Sequence, residues 1–327
     1  MHVGGVVCAF AVAALAPDAG IDWQGRMIEG LALAERGEYA QAEAWFRQTL
    51  KMAEAAGAGE EVRLPVLVAV ATETFELGRY EEAERLFRRV LREIEQQHGR
   101  QYPEYGLQLS NLASVERSRG HRRQAEASQR EAVAILRATE GEDGLRLALA
   151  RNELAEIIMF TGKLQEAEQL LGQARIVIER NLGTRHERVT IVVNNLGVLR
   201  RLQGRFAEAA ILFEDAERRF VDTKGPDHPH VLRILANLAT VYQDLGRLEE
   251  ADAICRRGLD AAARRLGPDH PTYGMLLGNY ARLLRREGRK AEAKEMSARS
   301  RAVLDGADRR NGEGATVDVR ELGAFPR

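Results

Sequence analysis

The sequence predicts an all-α protein, a solenoid of seven antiparallel helical hairpins, and three observations carry that reading. Its 327 residues are 45% hydrophobic but only 6% aromatic, with 8 Pro, a palette that favours helices over strands. A Gly followed five residues later by Ala recurs at Gly37/Ala42, Gly78/Ala83, Gly120/Ala125, Gly162/Ala167, Gly204/Ala209, Gly246/Ala251 and Gly288/Ala293. Seven residues before each Gly stands another small residue: Gly30, Ala71, Ala113, Ala155, Gly197, Ala239 and Ala281. The Gly-to-Gly step is 41 residues once and then 42 five times, so the repeats follow one another without insertions.

Each hairpin follows from these columns. The repeated Gly marks where a first helix, A, stops, because only Gly enters the left-handed conformation there without a Cβ penalty. The Ala five residues on lies early in the second helix, B, where a methyl group lets the two helices approach closely. Phe46, Phe87, Leu171 and Phe213 follow that Ala by one helical turn and share its buried face, whereas Gln129, Cys255 and Ser297 depart from the pattern. Between hairpins lie Gly225-Pro226-Asp227-His228-Pro229 and Gly267-Pro268-Asp269-His270-Pro271, with looser versions at Gly183 to His186 and Gly99 to Pro103. These read as turns ending in helix starts, since Pro is tolerated at the first helical position.

The small-residue columns, the Gly-x-x-x-Glu-Ala hairpin and the Gly-Pro-Asp-His-Pro linker together resemble the 42-residue tetratricopeptide repeats of kinesin light chains and their bacterial relatives. The resemblance covers residues 21–304. It implies a right-handed superhelix whose A helices line a concave groove that holds an extended peptide.

A polar column lies nine residues before each repeat Gly: Asn111, Asn195, Asn237 and Asn279, with Glu153 at the same place in the fourth hairpin. Asn is unfavourable inside a helix, so something offsets it at four sites. The resemblance places this Asn in the groove, bonding a ligand backbone; the other reading is an amide that bonds across adjacent helices. Residues ten, six and three before the Gly share that face, adding Asn152, Asn194, Glu156, Thr240, Arg282 and Arg285, with Ser110 and Gln243 beside them. In the first two hairpins the same face reads Met27, Ile28, Leu31, Val68, Ala69, Thr72 and Phe75, either an apolar ligand pocket or a surface covered by another segment.

Other functions find little support. The 48 basic and 49 acidic side chains leave a formal net charge of -1, without the basic field that nucleic acid requires. Asp227, His228 and His230 are close in sequence, but His228 and His270 occupy one linker position, where helix capping explains both. No metal or cofactor is expected, and no catalytic triad order, phosphate-cradling Gly loop or Cys-x-x-Cys pair is present. The expected function is a non-enzymatic protein-binding or peptide-binding scaffold; the alternative is a structural module that builds an oligomer.

The ends stand apart. Val3 to Ala16 is an unbroken small and apolar run, which makes residues 1–20 read as a secretory leader and the location as periplasmic or secreted. No Lys or Arg precedes the run and Pro17 would follow the cut, so an extra packed helix or a misplaced start, in a cytoplasmic protein, is the other reading. The run is shorter than the ~20 residues that span a bilayer, and no integral membrane segment is expected. Residues 305–327 carry four Gly and read as a flexible tail, in which Thr316 to Arg320 alternates like a strand and could lie in the groove.

Overall fold

The computed structural model describes residues 20–311, and every regular element among them is a helix. The chain divides into two compact units after Thr139. The first holds three hairpins: α1 (Trp23–Glu35) with α2 (Tyr39–Ala55), α3 (Glu60–Glu76) with α4 (Tyr80–His98), and α5 (Pro103–Ser118) with α6 (Arg122–Glu140). The second holds four: α7 (Leu145–Met159) with α8 (Leu164–Leu182), α9 (Glu187–Leu202) with α10 (Phe206–Lys224), α11 (Pro229–Asp244) with α12 (Leu248–Leu266), and α13 (Pro271–Arg286) with α14 (Lys290–Asn311).

Backbone chemistry at the repeated Gly closes every hairpin the same way. At Gly204, φ is 75°, and the amides beyond the helix end turn back onto it: Gly204 N donates to Arg201 O at 3.0 Å and Arg205 N to Arg200 O at 2.8 Å. This bond, reaching back five residues, satisfies a carbonyl that the helix end would leave bare.

The small columns are where A meets B. Ala42, Ala83, Ala125, Ala167, Ala209, Ala251 and Ala293 are all fully buried. A Cβ placed on Gly197 would lie 2.7 Å from Phe213 Cε1, and one on Gly30 would lie 2.3 Å from Phe46 Cε1. The ring of helix B therefore rests on the backbone of helix A. Of the departures from the ring column, Gln129 is fully buried and exchanges hydrogen bonds with Ser110 at 2.7 and 3.0 Å. Both polar groups are thereby satisfied within one hairpin.

An acid one residue beyond the repeat Ala links each of four hairpins to the next turn. Glu43 holds Arg47 at 2.8 Å and also Arg79; Glu84 holds Arg88 at 2.8 Å and also Arg119. In the second unit Glu168 holds Arg200 at 2.8 Å and Gln203 at 2.9 Å, while Asp252 holds Arg256 at 2.6 Å and Arg289 at 3.0 Å. Burial works to raise the Glu43 carboxyl, but hydrogen bonds from Arg79 and Arg47 outweigh it and hold the group below its ordinary value.

One core position breaks the apolar rule. Five residues before the repeat Gly stand Val115, Ile157, Leu199, Val241 and Leu283, all buried, but in the second hairpin the residue is Glu73, 3% exposed. Its Oε2 has no hydrogen-bond partner. Burial, reinforced by the neighbouring Glu76 and Glu43 carboxylates, pushes the Glu73 carboxyl up to about 8, so the side chain is protonated at neutral pH.

The last helix runs on through Asp305 and Gly306 to Asn311, past Leu304, where the repeat pattern ends. A single helical Gly costs only about 1 kcal/mol relative to Ala and does not end the helix here. The leader reading of residues 1–20 falls almost wholly outside the described residues, as does the strand-like segment Thr316 to Arg320.

Two outcomes follow. Ala209→Leu or Ala251→Leu should destabilise by about 1–3 kcal/mol, the usual cost of overpacking an interior, measured as a lowered urea midpoint. Glu73→Leu should raise stability, since it replaces a buried, unsatisfied polar group costing about 1–3 kcal/mol. It should also change the pH dependence. The folded carboxyl keeps its proton above the ordinary 4.5, so its contribution is full below that pH and is lost as pH rises through about 8. Urea midpoints of the natural protein should therefore fall between pH 5 and 9 more steeply than those of the variant.

Candidate functional site

Asn is a poor helix former whose amide offers two N–H donors and an oxygen with two lone pairs. In the second unit four of these amides meet. Asn237 on α11 donates from Nδ2 to Asn194 Oδ1 on α9 at 3.0 Å. Asn194 donates to its neighbour Asn195 at 3.2 Å, and Asn195 donates to Asn152 Oδ1 on α7 at 3.0 Å. A continuous amide chain thus crosses three successive A helices, each inter-helix bond joining residues 43 positions apart. Asn152, Asn194 and Asn195 are buried and Asn237 is half-buried. Within the column, Asn195 and Asn237 bond across adjacent helices.

Charged groups flank the chain. Glu156 on α7 faces Arg233 on α11 at 4.0 Å, and Glu153 acts electrostatically on Arg188 at the start of α9, a guanidinium held below its ordinary value by burial. The remaining expected residues are placed differently. Thr240 turns its hydroxyl back to Ala236 O at 2.7 Å, within its own helix. Asn279 accepts from Arg282, whose guanidinium burial also lowers. Arg285 donates to Ser297 on α14, its own hairpin partner. In the first unit, Asn111 donates to Gln108 Oε1 at 2.8 Å and is buried. The amide chain therefore joins Asn152, Asn194, Asn195 and Asn237, while Asn111 and Asn279 pair with residues three positions away on their own helices.

The linker histidines serve the backbone. His186, His228 and His270 adopt extended backbone before α9, α11 and α13, and each Nδ1 accepts the amide of the residue two positions on: Arg188 at 3.1 Å, His230 at 3.3 Å and Thr272 at 3.1 Å. Asp227, next to His228, pairs with Arg264 at 2.9 Å. Capping by a ring nitrogen requires neutral imidazole, and burial lowers the affinity of both His186 and His228 for a proton. Cys255 is buried and its thiol is pushed up to about 12, so it stays protonated and weakly nucleophilic. Among the described residues no helix is long and apolar enough to cross a membrane.

Comparison with known proteins identifies this architecture. The family described as tetratricopeptide repeat matches residues 64–138, 146–220 and 230–305, with a further match at residues 30–56. The chain belongs to the tetratricopeptide repeat family. No curated protein matches the sequence. Among solved structures, a point variant of a putative kinesin light chain with nearly identical repeats from Podosopora anserina is 25% identical. That match covers 63% of this chain and 98% of the other, with a TM-score of 0.50. BtubC (BKLC) from P. vanneervenii is 24% identical over 70% of this chain and 92% of its own, with a TM-score of 0.54. A Rap protein complexed with competence and sporulation factor shares only 12% identity but covers 92% of this chain and 91% of its own, with a TM-score of 0.63, a likeness of fold. The tetratricopeptide columns of this chain are thus those read from its sequence, and the amide chain is built on the A helices of three consecutive repeats.

The caps make the fold acid-sensitive near neutrality. For His186 and His228 the folded state binds its proton less readily than the unfolded chain does. Their contribution is therefore full above about 6.5 and is lost as pH falls through the folded values. Replacing both by Asn, a cap that does not titrate, should shrink the drop in melting temperature between pH 7.5 and 5.5, as followed by circular dichroism.

Proposed function

We propose that this tetratricopeptide protein is a non-enzymatic scaffold that holds an extended segment of a partner protein along the A-helix face of its second unit. The amide chain carries this reading. At Asn194 and Asn195 the chain uses one donor and one acceptor of each amide, which leaves each a second N–H and a second lone pair. Extended backbone presents N–H and C=O groups in alternation, and an amide row of fixed spacing answers both without reading side chains. Bonding among the amides sets their orientation before any ligand arrives, which reduces the ordering cost of binding. Glu156 and Arg233, of opposite charge beside the row, would favour partners that carry charge near the bound backbone.

The chemistry of the row also argues against catalysis, since amides neither titrate nor act as nucleophiles, and the thiol of Cys255 stays protonated. The test is capture of partner from an extract of the native source by immobilised protein. The Asn195→Ala/Asn237→Ala variant should retain at least ~10-fold less partner. Its urea midpoint should fall by no more than the ~0.5–1.5 kcal/mol per lost hydrogen bond expected. Undiminished capture would sink the proposal, and a changed solution mass with undiminished capture would point to an oligomerisation module instead.

A further inference from the structure

The amide row lies nine and ten residues before the repeat Gly. Three residues before that Gly, the same A-helix face of the second unit carries a different chemistry. The residue there is Arg201 on α9, Gln243 on α11 and Arg285 on α13, with Arg282 three residues earlier on α13 and Asp244 next to Gln243. Guanidinium groups offer N–H donors and no acceptor. Asp244 is the one acid of this set, and Arg201 holds it at 2.6 Å. Among the described residues no carboxylate pairs with Arg282 or Arg285. Arg282 donates to the uncharged amide oxygen of Asn279, and Arg285 to the hydroxyl of Ser297. Arg282 is nonetheless half-buried. Its burial, with the like charges of Arg201 and Arg285 acting on it, holds the guanidinium below its ordinary value. Gln243, on the helix between, is 5% exposed, and its Nε2 has no hydrogen-bond partner among the described residues. A half-buried charge without an acid and a buried amide N–H without an acceptor are each unfavourable, and both occur on one stretch of the face.

Donors without acceptors call for an oxyanion, and the charge decides which one. Three guanidinium groups face one carboxylate, an excess of two positive charges. A partner carboxylate would bring one negative charge and two oxygens. A phosphate monoester brings about −1.5 to −2 charge at neutral pH and three acceptor oxygens, and Arg binds it through paired N–H groups. We propose that the stretch of the A-helix face bounded by Arg201, Arg282 and Arg285 is a phosphoryl-binding site, which receives a phosphorylated side chain of the partner segment. The partner as source of the phosphoryl group rests on the role proposed for the amide row, whereas the site itself does not. Six helical residues separate this column from the row of Asn195 and Asn237, ~9 Å along the helices, or about three residues of extended chain. One bound segment reaches both.

The site is tested first with inorganic phosphate, added at constant ionic strength against chloride, with melting followed by circular dichroism. Phosphate should raise the melting temperature of the natural protein, and Arg282→Gln or Arg285→Gln should remove most of that rise. In chloride both variants should melt no lower than the natural protein, because neither guanidinium has an acid to lose. No rise at all would overturn the proposal, and an equal rise in all three proteins would mean an adventitious ion only and overturn it as well. The source is tested with a short Gly/Ser peptide carrying one phosphoserine and with its glutamate counterpart, by fluorescence anisotropy. The phosphorylated peptide should bind at least ~10-fold more tightly, as expected of a dianion on paired guanidinium groups, and Arg282→Gln should abolish the difference. Equal affinity for the two peptides would overturn the proposal. The Asn195→Ala/Asn237→Ala variant should weaken the phosphopeptide and keep the full response to inorganic phosphate. If that variant instead binds the phosphopeptide as the natural protein does, the amide-row reading fails and the phosphoryl site stands.

Discussion

Every hairpin depends on how closely helix A can approach helix B. That distance is set by a methyl group or a single hydrogen: the buried Ala early in each B helix and the Gly or Ala in each A helix. Where Gly30 and Gly197 occupy the A column, a phenyl ring from B takes up the space that a Cβ would have filled. Once the approach is fixed, so is the position of the left-handed Gly between the helices, and with it the direction in which the next turn leaves. Within each hairpin the spacing of the small columns is constant, because an insertion between them would carry the small residues away from the contact.

Polar side chains then do different work on different surfaces. The acids beside the repeat Ala, Glu43, Glu84, Glu168 and Asp252, bind the arginines of the following turn and so join neighbouring hairpins through charge-assisted bonds. The amides of the second unit join neighbouring A helices through weaker, uncharged bonds that leave part of their capacity unused. The first kind of link is saturated and structural.

The fold was legible in the sequence where its determinants are local. A Gly at a helix end, an Ala in a first turn and a Pro at a first helical position each act within a few residues, so periodicity exposed them. The asparagine column was legible as a column, but its partners were not, because a bond between residues 43 positions apart depends on which face of the next helix turns inward. The acid column escaped notice for the same reason: a Glu near the start of a helix reads as a solvated charge until the arginine of the next hairpin is placed against it. Arg285 and Thr240 share the amide face, yet their side chains turn to Ser297 and to their own helix, a choice that spacing does not encode. Gly306 misled in the opposite direction, since the helix tolerates it.

Glu73 shows what a single departure from the core pattern does to the molecule as a whole. The folded chain keeps at neutral pH a proton that the unfolded chain gives up. Folding therefore draws a proton from the solvent, and the heat of folding must include the ionisation heat of whichever buffer supplies it. Two solutions at one pH and one temperature, differing only in buffer, would return different calorimetric enthalpies for the same transition.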